Sequence, residues 1–139
     1  MSVQKNGIVF TYYNKSTKLK CEYFIFNGKI EDNYKQYHKD GQLKIICNYT
    51  NAKIEGEYKR YYENGQLMEI CNYNNNKKDG KCKIYYENGQ SRVKCNYKDG
   101  KIDKFYIIYN GYGKIYEIHL YKDGKFINKY KEYNEKNKE

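Results

Sequence analysis

Apolar side chains recur at every second position over short stretches, as with Leu43, Ile45, Cys47 and Tyr49, or Leu67, Cys71 and Tyr73. A period of two puts such residues on one face of a β-strand. Turn dipeptides interrupt these stretches at regular intervals. Asp40-Gly41, Asn64-Gly65 and Asn88-Gly89 stand between runs rich in Tyr and Ile, the pattern of a two-residue hairpin turn. A second set of turn signals joins one hairpin to the next: Asn27-Gly28, Asn51-Ala52, Lys78-Asp79-Gly80, Asp99-Gly100 and Asp123-Gly124. The chain is predicted to run up and down about eleven times.

The spacing is a repeat. Tyr13, Tyr37, Tyr61, Tyr85, Tyr109 and Tyr133 lie 24 residues apart without a slip, and Phe10, Tyr34, Tyr58, Cys82, Tyr106 and Tyr130 keep the same interval. Tyr49, Tyr73, Tyr97 and Tyr121 form a third column, and Cys47, Cys71, Cys95 and His119 a fourth. The expected fold is all-β: an elongated single-layer antiparallel meander of about five 24-residue β-hairpin repeats. These fall at about 7–30, 33–54, 57–78, 81–102 and 105–126. A terminal strand over 128–133 and a disordered tail over 134–139 complete a single domain spanning 1–139.

Centring hairpins on Asn64-Gly65 and Asn88-Gly89 places Arg60 opposite Glu69, Tyr58 opposite Cys71, Ile84 opposite Val93 and Cys82 opposite Cys95. An opposite-charge pair and an aliphatic pair are what cross-strand packing prefers. In the first repeat, a turn at Asn14-Lys15-Ser16-Thr17 keeps Phe10 opposite Cys21. One face then carries Leu43, Ile45, Cys47 and Tyr49, with Leu67, Glu69, Cys71 and Tyr73. The other carries Lys59, Tyr61, Met68 and Ile70. Neither face is polar throughout, so the sheet should leave a partly apolar face uncovered.

Composition changes this picture in two respects. Twenty tyrosines supply the buried area, and 18% aromatic content keeps a chain of net charge +10 on the folded side of the boundary with disorder. The lack of Pro and Trp beside abundant Lys, Asn, Tyr and Ile reflects an AT-rich genome, viral or bacterial. No apolar run is long enough to span a membrane, and the start of the chain lacks the apolar core of a signal peptide. A soluble protein of the cytoplasm is expected.

Y-Y-E-N-G-Q-L at 61 to 67 and Y-Y-E-N-G-Q-S at 85 to 91, each followed by Tyr73 or Tyr97 and a D-G-K-like turn, resemble MORN-type repeats. The resemblance is strong over residues 33 to 126 and is closest to a divergent form found in antitoxin-annotated proteins of bacteria and large DNA viruses. It implies a single-layer repeat sheet that binds protein partners or dimerises; binding of anionic lipid has also been proposed for the wider family. The glycine that closes the linker in this family fits Gly56 and Gly80, whereas Lys104 and Asn128 stand at the later positions. The last repeats are therefore expected to bend differently.

Candidate chemistry is sparse. Cys21, Cys47, Cys71 and Cys95 are one repeat apart, hence two strands and about 10 Å, beyond the reach of a disulfide. They are expected to be reduced core residues, and Cys82 with Cys95 is the one pair that could bond. Without a C-x-x-C pair no metal is expected, and no cofactor either. His38, beside a turn, and His119, in the Cys column, lie several strands apart with no serine near, so an enzyme is not expected. Binding remains. Tyr37, Tyr61, Tyr85 and Tyr109, with Met68 and Ile70, suit a protein interface, because rigid Tyr gives contact area at low entropic cost. The resemblance makes the most concrete form of that reading an antitoxin that neutralises a cognate toxin, for example a nuclease, and a homodimer is expected. Lys29, Lys53, Lys77, Lys101 and Lys125 form a basic stripe at 24-residue spacing, and Lys35, Lys59, Lys83 and Lys131 a second line. These support the alternative of a basic scaffold for nucleic acid or an anionic membrane surface.

Overall fold

The computed structural model describes residues 6–132, so Tyr133 and the tail expected over 134–139 lie outside the described residues. Eleven strands follow one another: β1 (Gly7–Tyr12), β2 (Leu19–Phe26), β3 (Lys29–Tyr37), β4 (Leu43–Thr50), β5 (Lys53–Tyr61), β6 (Leu67–Asn74), β7 (Lys77–Tyr85), β8 (Ser91–Lys98), β9 (Lys101–Tyr109), β10 (Ile115–Lys122) and β11 (Lys125–Glu132). They form one antiparallel sheet in which every strand pairs with its neighbours in sequence, and no helix occurs among the described residues. This is the single-layer meander that the repeat predicts. At about 4.8 Å per strand it extends about 50 Å across its strands.

Two kinds of turn alternate along it. Asn27-Gly28, Asn51-Ala52, Asn75-Asn76, Asp99-Gly100 and Asp123-Gly124 join successive hairpins, each with both residues at positive φ. That is the two-residue turn whose twist matches the flanking strands. The turn expected at Lys78-Asp79-Gly80 is therefore at Asn75-Asn76, and Lys78 to Gly80 lie within β7. Asparagine tolerates the left-handed region well enough to do there what glycine does elsewhere. Within the second, third and fourth hairpins the turn is longer than expected. Tyr62 N–H donates to the Gln66 carbonyl and Tyr86 N–H to the Gln90 carbonyl, both at 2.9 Å, closing three-residue loops. Only Gly65 and Gly89 in those loops have positive φ. The preceding Asn64 and Asn88 accept from the backbone N–H of Gln66 and Gln90 at 3.0 Å, which holds a type I turn ahead of the glycine.

Each return strand from β4 on then carries an extra residue, at Lys44, Met68, Arg92 and Tyr116. Longer loop and bulge together restore the expected pairs Arg60 with Glu69, Tyr58 with Cys71, Ile84 with Val93 and Cys82 with Cys95. Ahead of the bulge the alternation inverts. Leu43 and Leu67 stand opposite Tyr37 and Tyr61, on the face away from the cysteines rather than with them. In the first hairpin the turn is where the sequence puts it, with Tyr13 N–H on the Lys18 carbonyl at 3.0 Å. An extra residue at Lys20 nevertheless shifts the ladder, so Phe10 faces Glu22, and Thr11 takes the place expected for Phe10 opposite Cys21. A one-residue slip exchanges faces, and Phe10 is left 51% exposed.

The core lies on one face. Cys47, Cys71, Cys82 and Cys95 are buried there, with Val93 beside them. Tyrosine rings from alternate levels fold over these small side chains: Tyr34 and Tyr49 have centroids 5.6 Å apart, Tyr58 and Tyr73 5.3 Å, Tyr106 and Tyr121 6.3 Å. Such ring pairs add to the area they bury. Burial penalises the charged forms, pushing the Cys47 and Cys95 thiols up to about 11 and the Tyr58 phenol up to about 12.

Two hydrogen-bond ladders lock repeat to repeat. At the hairpin end, the Tyr13, Tyr62 and Tyr86 hydroxyls donate to the carbonyls of Tyr37, Tyr85 and Tyr109 at 2.6, 2.8 and 2.8 Å. His38 takes the same role: its Nε2 lies 3.0 Å from the Tyr61 carbonyl, an acceptor, so Nε2 carries the proton. His38 is therefore a buried strut rather than a surface residue beside a turn. At the other end, Ala52 N–H donates to the Ile30 carbonyl, Asn76 N–H to Ile54 and Gly100 N–H to Lys78, at 2.8 to 3.0 Å.

Candidate binding faces and a buried thiol cluster

The face opposite the cysteines carries the tyrosine column. Tyr37, Tyr61, Tyr85 and Tyr109 are all half-buried, and their neighbours place them together on this side. The Tyr37 hydroxyl donates to the Glu22 carboxylate at 3.2 Å, and Lys94 lies over the Tyr109 ring at 5.1 Å. A row of cross-strand partners runs between them: Ile46, Lys59, Ile70 and Lys83, then Lys94, Ile107 and Ile118. Near the middle lies a shallow groove of about 300 Å³, with Leu67, Ile70 and Tyr85 supplying its apolar part and Lys81 and Lys83 its rim.

Of the expected interface residues, Ile70 and Tyr85 therefore share one groove. Met68 occupies the bulge of β6 and does not line it, and Leu67 does so instead. The pattern of the sequence hid Leu67 because simple alternation puts it with Cys71. The bulge that reverses it follows from a three-residue loop that an Asn-Gly pair does not distinguish from a two-residue one.

Lys29, Lys53, Lys77, Lys101 and Lys125 are the first residues of β3, β5, β7, β9 and β11, all exposed, so the basic stripe exists as a line along the linker end of the sheet. Carboxylates are interleaved with it. Asp99 pairs with Lys77 at 3.0 Å, and Glu31 and Glu55 accept from the Asn51 and Asn75 N–H groups at 2.7 and 2.8 Å. Glu31, Asp32, Glu55, Asp79, Asp99, Asp103 and Asp123 all lie at that end. In the second line, Lys35 and Lys59 pair with Glu22 and Glu57. A polyanion laid along the stripe would meet both signs of charge, unlike the single-sign footprint of a phosphate-binding surface.

At the centre of the packed face, Cys82 on β7 stands between Cys71 on β6 and Cys95 on β8, its partner on either side. A disulfide joins Cys71 to Cys82, with Cα atoms 4.3 Å apart, and Cys95 is free. Expecting only Cys82 with Cys95 overlooked the neighbour across the linker turn: two extra residues of β7 between Lys78 and Cys82 bring Cys82 level with Cys71. The Glu69 carboxylate lies beside this pair and forms an ion pair with Lys78, whose ammonium also stands 5.4 Å from the centre of the Tyr97 ring. Their side chains are only 14% and 25% exposed. Far from it, His119 Nε2 meets Glu117 at 2.7 Å, with Lys129 on the other carboxylate oxygen at 3.4 Å.

Residues 33–51, 54–75 and 78–99 match the MORN repeat variant family, three consecutive repeats that run from β3 to β8. No curated protein matches the chain in sequence.

Proposed function

We propose that this chain, a MORN-type repeat protein, is a non-catalytic module that binds another protein through the tyrosine face, most concretely an antitoxin that neutralises its toxin by covering the active site. MORN repeats serve as binding modules for proteins or membranes. The observation that carries the choice of a protein is the character of the two surfaces. The tyrosine face offers half-buried aromatics, isoleucines and a groove over which none of the described residues packs, which suits a partner that buries apolar area. The lysine stripe is interrupted by carboxylates, which weighs against a phosphate backbone or an anionic membrane. With no partner present, the same face is expected to pair two copies.

The test is capture from the native source at about 300 mM salt, with the neighbouring gene product co-expressed and the mass of the isolated protein measured alongside. One stoichiometric protein is expected, lost in the Tyr61→Ala/Tyr85→Ala variant. Recovery of nucleic acid or lipid alone, and only at low salt, would replace this reading with the basic scaffold, because phosphate contacts weaken steeply between about 50 and 200 mM salt.

A further inference from the structure

We infer that, once the Cys71–Cys82 bond is reduced, Glu69, Cys71 and Cys82 form a site for a thiophilic divalent cation of the zinc class. One ligand atom from each residue already lies within 4.8 Å of the other two. Both cysteines are almost fully buried, at 2% and 1% exposure, and Glu69 projects from the same strand and the same face as Cys71.

The distances fit three corners of a tetrahedron. With zinc–sulfur bonds of about 2.3 Å and zinc–oxygen bonds of about 2.0 Å, the sulfur–oxygen edge is about 3.5 Å. Glu69 Oε1 lies 3.3 Å from Cys71 Sγ and 3.8 Å from Cys82 Sγ, on either side of that value. Only the sulfur–sulfur edge has to open, to about 3.8 Å, and Cβ atoms of directly opposed residues stand about 4.5 to 5.5 Å apart in an ordinary ladder. Charge balances as well. A divalent cation, two thiolates and one carboxylate sum to a single negative charge, which Lys78 neutralises; its ammonium now sits on the same Oε1 and moves to the other carboxylate oxygen when the cation binds.

The chemistry needs a two-electron reductant, a small-molecule thiol in a cell or a phosphine in a test tube. Two electrons and two protons convert the disulfide to two thiols, and the cation then displaces both protons. Disulfide and metal site exclude one another, so occupancy reports the redox state. In either state the β6–β7 joint is cross-linked, by a bond or by a shared ion. The C-x-x-C rule misses such a site because its ligands come from facing strands rather than from one turn.

Cobalt(II) is the probe. Titrated into phosphine-reduced full-length protein, one equivalent should give an intense near-ultraviolet thiolate-to-metal band and the visible bands of a tetrahedral ion. Zinc should displace it. Cys71→Ser and Cys82→Ser should each abolish the intense band, Glu69→Gln should weaken uptake by at least tenfold, and Cys21→Ser and Cys47→Ser should leave it intact. X-ray absorption of the zinc-loaded wild type should find two sulfurs at about 2.3 Å, a reading independent of how any variant folds. No uptake by the reduced protein, a band that survives in Cys82→Ser, or a zinc shell without two sulfurs would overturn the assignment.

Discussion

At the scale of single residues, the sheet spends backbone strain at a fixed place in each repeat. Position 56 and position 80 are glycines with φ of 77° and 90°, and position 104 holds Lys104 in the same left-handed region at φ 64°. Lys104 thus follows the bend of its neighbours instead of the different one expected from its side chain. Asn128, by contrast, is not among the residues at positive φ, and the β10–β11 ladder shifts register on either side of Leu120. A β-carbon in the left-handed region costs about 1–2 kcal/mol, part of which glycine loses again through chain entropy. Lys104→Gly should therefore raise Tm, by about 3 °C for a net gain of about 1 kcal/mol. Gly80→Ala should lower it by a similar amount. Thermal unfolding by circular dichroism measures both, and a loss of stability in Lys104→Gly would contradict the strain argument.

At the scale of the element, hairpins stack because each turn reaches into the next. Tyr62 and Tyr86 donate across repeats to backbone carbonyls, in a column that continues through His38. Removing only the hydroxyl, as Tyr62→Phe, leaves the ring and deprives the Tyr85 carbonyl of a donor, at a cost of about 0.5–1.5 kcal/mol in denaturant unfolding. Tyr12→Phe, at an exposed hydroxyl with no partner among the described residues, should change nothing measurable. The strand count, the order of the strands and the pairs in the middle of the second, third and fourth hairpins were legible from the 24-residue spacing. The bulges were not: Lys20, Lys44, Met68 and Arg92 are ordinary strand residues, and what makes them bulge is a turn several residues away. Phe10 and Leu67 were misplaced for that reason. Asn75-Asn76 was missed because it lacks the glycine that marks most of the other linker turns.

At the scale of the whole molecule, a one-sided core of thiols and phenols makes stability depend on pH in an unusual range. The folded-state values of Cys47, Cys95, Tyr58 and their neighbours are raised, chiefly by burial, above the ordinary values of about 9 for a thiol and 10 for a phenol. A raised value means the folded protein holds its protons more tightly than the unfolded chain. That stabilisation is complete below about pH 9 and is lost as pH climbs toward 11 and 12. Urea midpoints should be flat from pH 7 to 9 and then fall steeply. A midpoint that rises above pH 9 would contradict the burial of these groups.

The packed face explains the fold, and the opposite face is the one proposed to bind a partner. Its composition was readable early, since Tyr37, Tyr61, Tyr85, Tyr109 and Ile70 all fall on that side. The balance of charge along the lysine stripe was not, because carboxylates bound to turn N–H groups do not show in a one-residue column. The most direct measurement is the affinity of the captured partner for wild type and for Ile70→Asp, each at about 50 and 300 mM salt. A buried charge in the middle of the groove should weaken binding at least tenfold, while salt should change the wild-type Kd by less than threefold. Affinity that survives Ile70→Asp but falls by orders of magnitude with salt would show that the lysines, and not the tyrosine face, make the contact.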